Sequence, residues 1–151
     1  MQTIEQALEK LRKSKFRSGF HLDQKDKAYI REKGMDTIRK HAEDFVAARL
    51  APAVIPNDGK QTPWKGHPVF KAQHACACCC RGCLNKWYRV PKGIELTQDQ
   101  QQRLVNLLMA WIYNEMEEER KVKMKDILNF RSAERKDIPL ILQFIKELAD
   151  Y

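Results

Sequence analysis

The sequence predicts a mainly α-helical fold. It reads as a small helical domain built around an irregular, zinc-knuckle-like Cys/His loop region, with a β-α tail at the C-terminus. Three observations carry this. Residues 67–83, HPVFKAQHACACCCRGC, hold all five cysteines and two of the four histidines. Apolar residues recur at helical spacing on either side of that stretch. Near residue 127 the pattern changes to a short alternation followed by one more helical stripe. The organisation expected is a metal-binding helical domain over residues 1–119, a linker over 120–126, and an incomplete strand-helix fragment over 127–151.

The elements follow from local signals. Thr3 can cap a helix over 3–14 that turns Ile4, Leu8 and Leu11 to one side. Residues 15–22 are irregular. Asp23 can cap a second helix that stops at Gly34. Asp36 can cap a third, over 37–50, with Ile38, Ala42, Phe45, Val46 and Ala48 as its apolar stripe. His41 lies beside that stripe and reads as a half-buried histidine bonded to a neighbour. Residues 50–66 carry three prolines and two glycines, so no regular element persists there. That loop leads directly to His67. After Cys83, residues 84–90 suit a short helix or strand in which Trp87 and Tyr88 shield the site. Thr97 and Gln100 form a capping box for the clearest helix, running to about residue 119. It buries Leu104, Leu108, Trp111, Ile112 and Met116, while residues 115–120 are too charged for burial. Residues 127–130 alternate like a strand, and Asp137 can cap a last helix.

The chemistry lies in the cysteine stretch. Thiolate and imidazole are the ligands Zn²⁺ prefers, and Cys80-Arg81-Gly82-Cys83 is a C-x-x-C that can turn two sulfurs onto one tetrahedral ion. Gly82 suits that turn if it takes a positive φ. Sulfurs so crowded make poor disulfide partners, which leaves metal or redox chemistry. The expected cofactor is zinc. The expected ligands are His74, Cys80 and Cys83, then His67, then Cys79. Neighbouring residues point differently, so one of Cys79 and Cys80 is expected rather than both. A dithiol switch of Cys80 and Cys83 is the alternative, although no βαβ pattern surrounds it. Four protein ligands would make a closed, structural site, which is the preferred reading. An open fourth position with His67 or Asp58 as base would make a metal-dependent hydrolase or nuclease-like enzyme.

The charge balance is 28 Lys and Arg against 20 Asp and Glu, a formal net charge of +8. This suits an anionic partner, although charge alone speaks more of solubility than of role. Lys65, Arg81, Lys86 and Arg89 flank the site and are the candidate nucleic-acid contacts. Trp64, Trp87 and Tyr88 stand among them and could stack on unpaired bases. The competing reading is a solvated rim over core aromatics. The expected role is a binding module for nucleic acid or protein. No apolar run is long enough to span a bilayer, and the N-terminus has no apolar signal core, so a cytoplasmic location is expected.

Two resemblances add to this. LRKSKFRSGFHL, DTIRKHAEDFVAARLAP, NDGKQTPWKGHPVFKAQHA and CCRGCLNKW, within residues 11–111, resemble the bacterial and phage domain-of-unknown-function family numbered 4186. The resemblance implies kinship and no particular activity. The family more often has threonine at the positions of Cys76 and Cys78, which implies that these two are dispensable. It usually has histidine where this chain has Tyr88, and His41 matches its pattern. NFRSAERKDIPLILQFIKELADY resembles the opening strand and first helix of a GNAT-type N-acetyltransferase. The Gly-rich loop that would hold the acetyl-CoA pyrophosphate is not among these residues, so no acetyltransferase activity is expected of them. Met124 stands where a separate acetyltransferase would start, as two joined reading frames would place it.

Overall fold

The computed structural model describes residues 2–130. Six α-helices follow one another: α1 Ile4–Lys13, α2 Gln24–Lys33, α3 Met35–Arg49, α4 Pro68–Ala75, α5 Arg81–Tyr88 and α6 Gln98–Phe130. A single 3₁₀ turn, Arg17–Gly19, lies between α1 and α2. There is no strand among the described residues. Two compact units are distinguished, Met1–Tyr113 and Asn114–Tyr151, and α6 has residues in both.

The first three helices start as their side chains dictate, with one exception. Thr3 and Gln6 form a reciprocal capping box on α1, and Asp23 and Asp26 form one on α2. Asp36 does not cap α3. A single residue, Gly34, separates α2 from α3, and its φ of 86° turns the chain at once into the next helix. Asp36 therefore falls inside the first turn. Positive φ is free only for glycine, so the turn belongs to Gly34. α3 then buries Ile38, Ala42 and Val46 at four-residue spacing, with Leu50 following. Complete burial of side chains such as Ile38 and Val46 is worth about 1.5–3 kcal/mol each.

α4 and α5 were only partly legible, because both end without glycine. Ala77 (φ 56°) follows the end of α4 in the left-handed region, and Arg89 (φ 56°) does so for α5. Each supports a Schellman arrangement. The Cys78 amide donates to the Gln73 carbonyl at 2.7 Å, and the Ala77 amide donates to that of His74 at 3.4 Å. The Arg89 amide likewise donates to the Asn85 carbonyl at 3.0 Å. A non-glycine residue in this region costs about 1–2 kcal/mol, and burial of the surrounding segment outweighs it. Every residue from Ala72 to Cys80 is buried. Gly82 is not among the positive-φ glycines and lies within α5, contrary to the expected left-handed turn.

α6 carries the predicted Thr97–Gln100 capping box. It buries Leu104, Leu108, Ile112 and Met116 as expected, with Val105, Leu107 and Met109 besides, while Trp111 is half-buried. Glu119 is 8% exposed despite the charge around it. Residues 120–126, read as a linker, and 127–130, read as a strand, continue α6. Four residues of alternation are too short a signal to override a helix already propagating, since each further residue adds a backbone bond without a new nucleus. The expected helix from Asp137 lies outside the described residues.

Arg81 staples the loops on both sides of the cysteine segment. It is 3% exposed, and its guanidinium donates to four carbonyls. These are Leu50 (3.1 Å), Pro52 (3.0 Å), Pro91 (2.7 Å) and Ile94 (2.7 Å). This corrects its reading as a nucleic-acid contact, because nothing of its charged end faces a partner. Arg81→Ala is expected to cost about 3 kcal/mol or more, since it strands several buried carbonyls at once. Arg81→Lys should fall between the two, because an ammonium cannot reproduce the planar fork. Urea unfolding of the three proteins, with midpoints compared at equal slope, checks this.

Candidate metal centre

The start of α5 is where the sulfurs meet. Its first three amides are all satisfied by side chains. Asp58 Oδ1 accepts from the Arg81 amide at 2.8 Å, and Oδ2 accepts from the Gly82 amide at 2.9 Å. Cys80 Sγ, as N-cap, accepts from the Cys83 amide at 3.3 Å. The 50–66 loop thus reaches the helix through Asp58. The same loop holds the preceding segment, where the Thr62 hydroxyl donates to the Cys79 carbonyl at 2.8 Å.

Cys79, Cys80 and Cys83 bring their Sγ atoms within 4.8 Å of one another, a group that could hold a metal ion. Cys79 and Cys83 are 3.5 Å apart, sulfur to sulfur. Two sulfurs on one tetrahedral Zn²⁺, each about 2.3 Å from it, stand about 3.8 Å apart. The spacing therefore suits a single ion. Cys79 and Cys80 both belong to the group, against the expectation that only one would. Cys80 is the extended N-cap residue, and this turns its sulfur back toward the helix while Cys79 approaches from before it.

The fourth group at the cluster is Arg17, which the sequence placed in a solvated basic run. Arg17 is 8% exposed. Nη1 donates to the His74 carbonyl at 2.6 Å and faces Cys79 Sγ at 3.8 Å, and Nη2 lies 3.2 Å from Cys83 Sγ. Its carbon lies 5.0 Å from the Phe16 ring centroid and 5.9 Å from that of Trp87. No local signal marks this arginine among its neighbours. Only the 3₁₀ turn after α1 aims it inward.

The thiols divide electrostatically. Cys83 is held at about 5, well below an ordinary thiol, chiefly by the hydrogen bond from the Cys79 thiol. Cys80 and the Arg17 guanidinium add to this, and burial opposes it. Cys79 is pushed up because it donates to Cys83 and is buried, and burial also raises Cys80. Cys76 and Cys78 are wholly buried thiols pushed up by desolvation, outside the cluster. The Tyr88 hydroxyl donates to the Cys76 carbonyl and covers that side of the segment.

The two histidine candidates stand outside the three-sulfur group. His74 Nε2 lies 3.2 Å from the Thr62 carbonyl and 3.1 Å from that of Pro63, so this nitrogen carries a proton and donates. Its ring stacks on Trp64 at 4.0 Å and 8°. His67 is the N-cap of α4, with Nδ1 accepting from the Val69 amide at 3.0 Å. Its proton is therefore on Nε2, which lies 3.0 Å from His41 Nδ1. His41 thus has the neighbour expected of it. Tyr29, Phe45 and Phe70 pack around His67. Of the basic candidates other than Arg81, Lys65 and Lys86 are exposed. Arg89 lines a groove of about 760 Å³ that also contains Glu5 and Glu9. Lys71 is committed to Asp23 and Asp26. No helix among the described residues is long and apolar enough to cross a membrane.

A family model described as a domain of unknown function, DUF4186, matches residues 5–113. No solved structure matches the chain. The match ends before residues 127–151, where the acetyltransferase resemblance lies.

His67 makes the fold sensitive to acid. Its imidazole is held at about 4, against an ordinary 6.5, by burial and then by the charge of His41, with Asp26 opposing. The unfolded chain binds a proton near pH 6.5 that the folded chain refuses, so the contribution is complete above pH 6.5 and is lost as pH falls toward 4. His67→Asn keeps an acceptor for the Val69 amide but removes the titration. The fall in melting temperature between pH 7 and pH 5 should be smaller in this variant than in the wild type.

Proposed function

The chain belongs to the DUF4186 family, and we propose that it is a zinc-stabilised binding module. Cys79, Cys80 and Cys83 hold the ion in this reading, and the metal fixes the surface offered to an anionic partner. The observation that carries it is the convergence of three sulfurs at the start of α5. Three thiolates and Zn²⁺ sum to one negative charge, which the adjacent Arg17 guanidinium offsets. The segments tied there are the 3₁₀ turn, the 50–66 loop, the end of α4 and the start of α5. None of them is held by a strand or a long helix, so a cross-link at this point stabilises the part of the fold with least regular structure.

The hydrolase alternative requires a base beside the ion. Asp58 has both oxygens on α5 amides, and His67 is paired with His41. The module is therefore the better supported reading. A dithiol is the second reading, favoured by the 3.5 Å approach of Cys79 to a Cys83 thiolate.

Metal analysis of purified protein is expected to find one zinc per chain. Cys83→Ser should lose it, and Cys76→Ser should retain it. Because Cys79 and Cys80 are thiols in the metal-free fold, binding should release about two protons, measurable by calorimetry in buffers of different ionisation enthalpy. A Cys79–Cys83 disulfide in metal-free protein isolated without reductant would favour the dithiol instead.

A further inference from the structure

Phe16 and Trp64 stand forty-eight positions apart in the chain and meet at the surface. Their ring centroids are 6.4 Å apart at 84°, and they are 56% and 61% exposed. Large aromatic rings left this open are uncommon, and two in contact form a patch rather than scattered exceptions. The patch is braced from within. Trp64 lies parallel to His74, and Phe20 stacks with both rings, at 6.0 Å from Trp64 and 5.7 Å from His74. His74 is itself 5% exposed, and its Nε2 proton is fixed on two carbonyls. The edge of Phe16 meets Phe20 at 5.3 Å. The exposed rings are thereby held in place and would lose little freedom on binding a planar partner.

The charge around the patch has one sign along the chain. Residues 10–22, which supply Phe16, contain five Lys or Arg and no Asp or Glu. Residues 59–94, which supply Trp64, contain seven Lys or Arg and no Asp or Glu. Of these cations Arg17, Arg81 and Lys71 are used within the fold, whereas Lys13, Lys15, Lys60 and Lys65 are exposed. Lys15 and Lys65 are the chain neighbours of the two rings. A lipid surface would call for aliphatic side chains at such a patch, and an acidic peptide would make no use of flat rings held upright. Rings for bases and ammonium groups for phosphates match a single strand of nucleic acid, whose bases are unpaired and can be stacked upon. A duplex hides those base faces.

The geometry points to Phe16 and Trp64 as a stacking platform for single-stranded nucleic acid, with Lys15 and Lys65 on its phosphates. The inference rests on the reading of the domain as a binding module. It does not depend on the identity of the metal.

The test uses the full chain and a fluorescein-labelled oligothymidine of about twenty nucleotides, read by anisotropy. Parallel titrations use the same length of duplex and a polyglutamate of equal charge. The single strand is expected to bind more tightly than either and to quench tryptophan emission. Trp64→Ala and Phe16→Ala should each weaken binding about tenfold. Trp64→Phe should recover most of the loss. Lys15→Gln with Lys65→Gln should leave the quenching in place and flatten the dependence of affinity on salt by about one unit of slope. Equal affinity for oligothymidine and polyglutamate would overturn the platform, as would wild-type affinity in both alanine variants. Zinc content and melting temperature are measured on the same samples. Unaltered zinc with lost binding separates the platform from the metal centre, and absent zinc with retained binding refutes the metal reading while leaving the platform standing.

Discussion

The structure of the central segment depends on how polar atoms are satisfied where α5 begins. A helix start presents amides without intrahelical partners, and here it is half-buried together with three sulfurs. Asp58 takes two amides, Cys80 takes the third, and Arg17 meets the sulfurs with a positive charge. Each partner comes from a different part of the chain. Burying the site therefore requires the 50–66 loop, the 3₁₀ turn and the end of α4 to be in place together. Arg81, one residue beyond the N-cap, ties the loops on either side to the same point.

The two arginines show how one side-chain type serves opposite ends in one small domain. Arg81 spends its donors on neutral carbonyls and acts as scaffold. Arg17 spends part of its charge on sulfur, and so determines which thiol ionises. Cys79 and Cys83 differ little in sequence, yet one donates a hydrogen bond and the other accepts it, and their acidities separate in opposite directions. A metal ion would erase this difference, because every sulfur that ligates must be a thiolate. The same geometry thus offers a proton in one state and a ligand set in the other.

The histidines are occupied in a way that connects the centre to its surroundings. His67 opens α4 and reaches His41 on α3, so the pair helps set where α4 lies. His74, near the far end of α4, fixes the 62–63 backbone and carries Trp64 on its face. α4 is eight residues long and mostly buried, and its length spaces two aromatic histidine contacts at its ends. The surface ring Trp64 is therefore braced by the element that delivers the cysteines.

The sequence by itself determined the helical class, the capping boxes at Thr3, Asp23 and Thr97, the core stripes of α3 and α6, and the concentration of metal-binding side chains in one stretch. These are local properties, set by spacing along the chain and by hydrogen bonds within one turn. Tertiary structure decided which candidates meet. Whether Cys79 joins Cys80, whether a histidine faces the sulfurs, and whether Arg17 or Arg81 is solvated depend on non-glycine residues held in left-handed conformations at Ala77 and Arg89, and on where a fifteen-residue loop lands. No local preference specifies those choices. They follow from burial, which makes a strained backbone and a desolvated guanidinium cheaper than leaving the segment between α4 and α5 exposed to water.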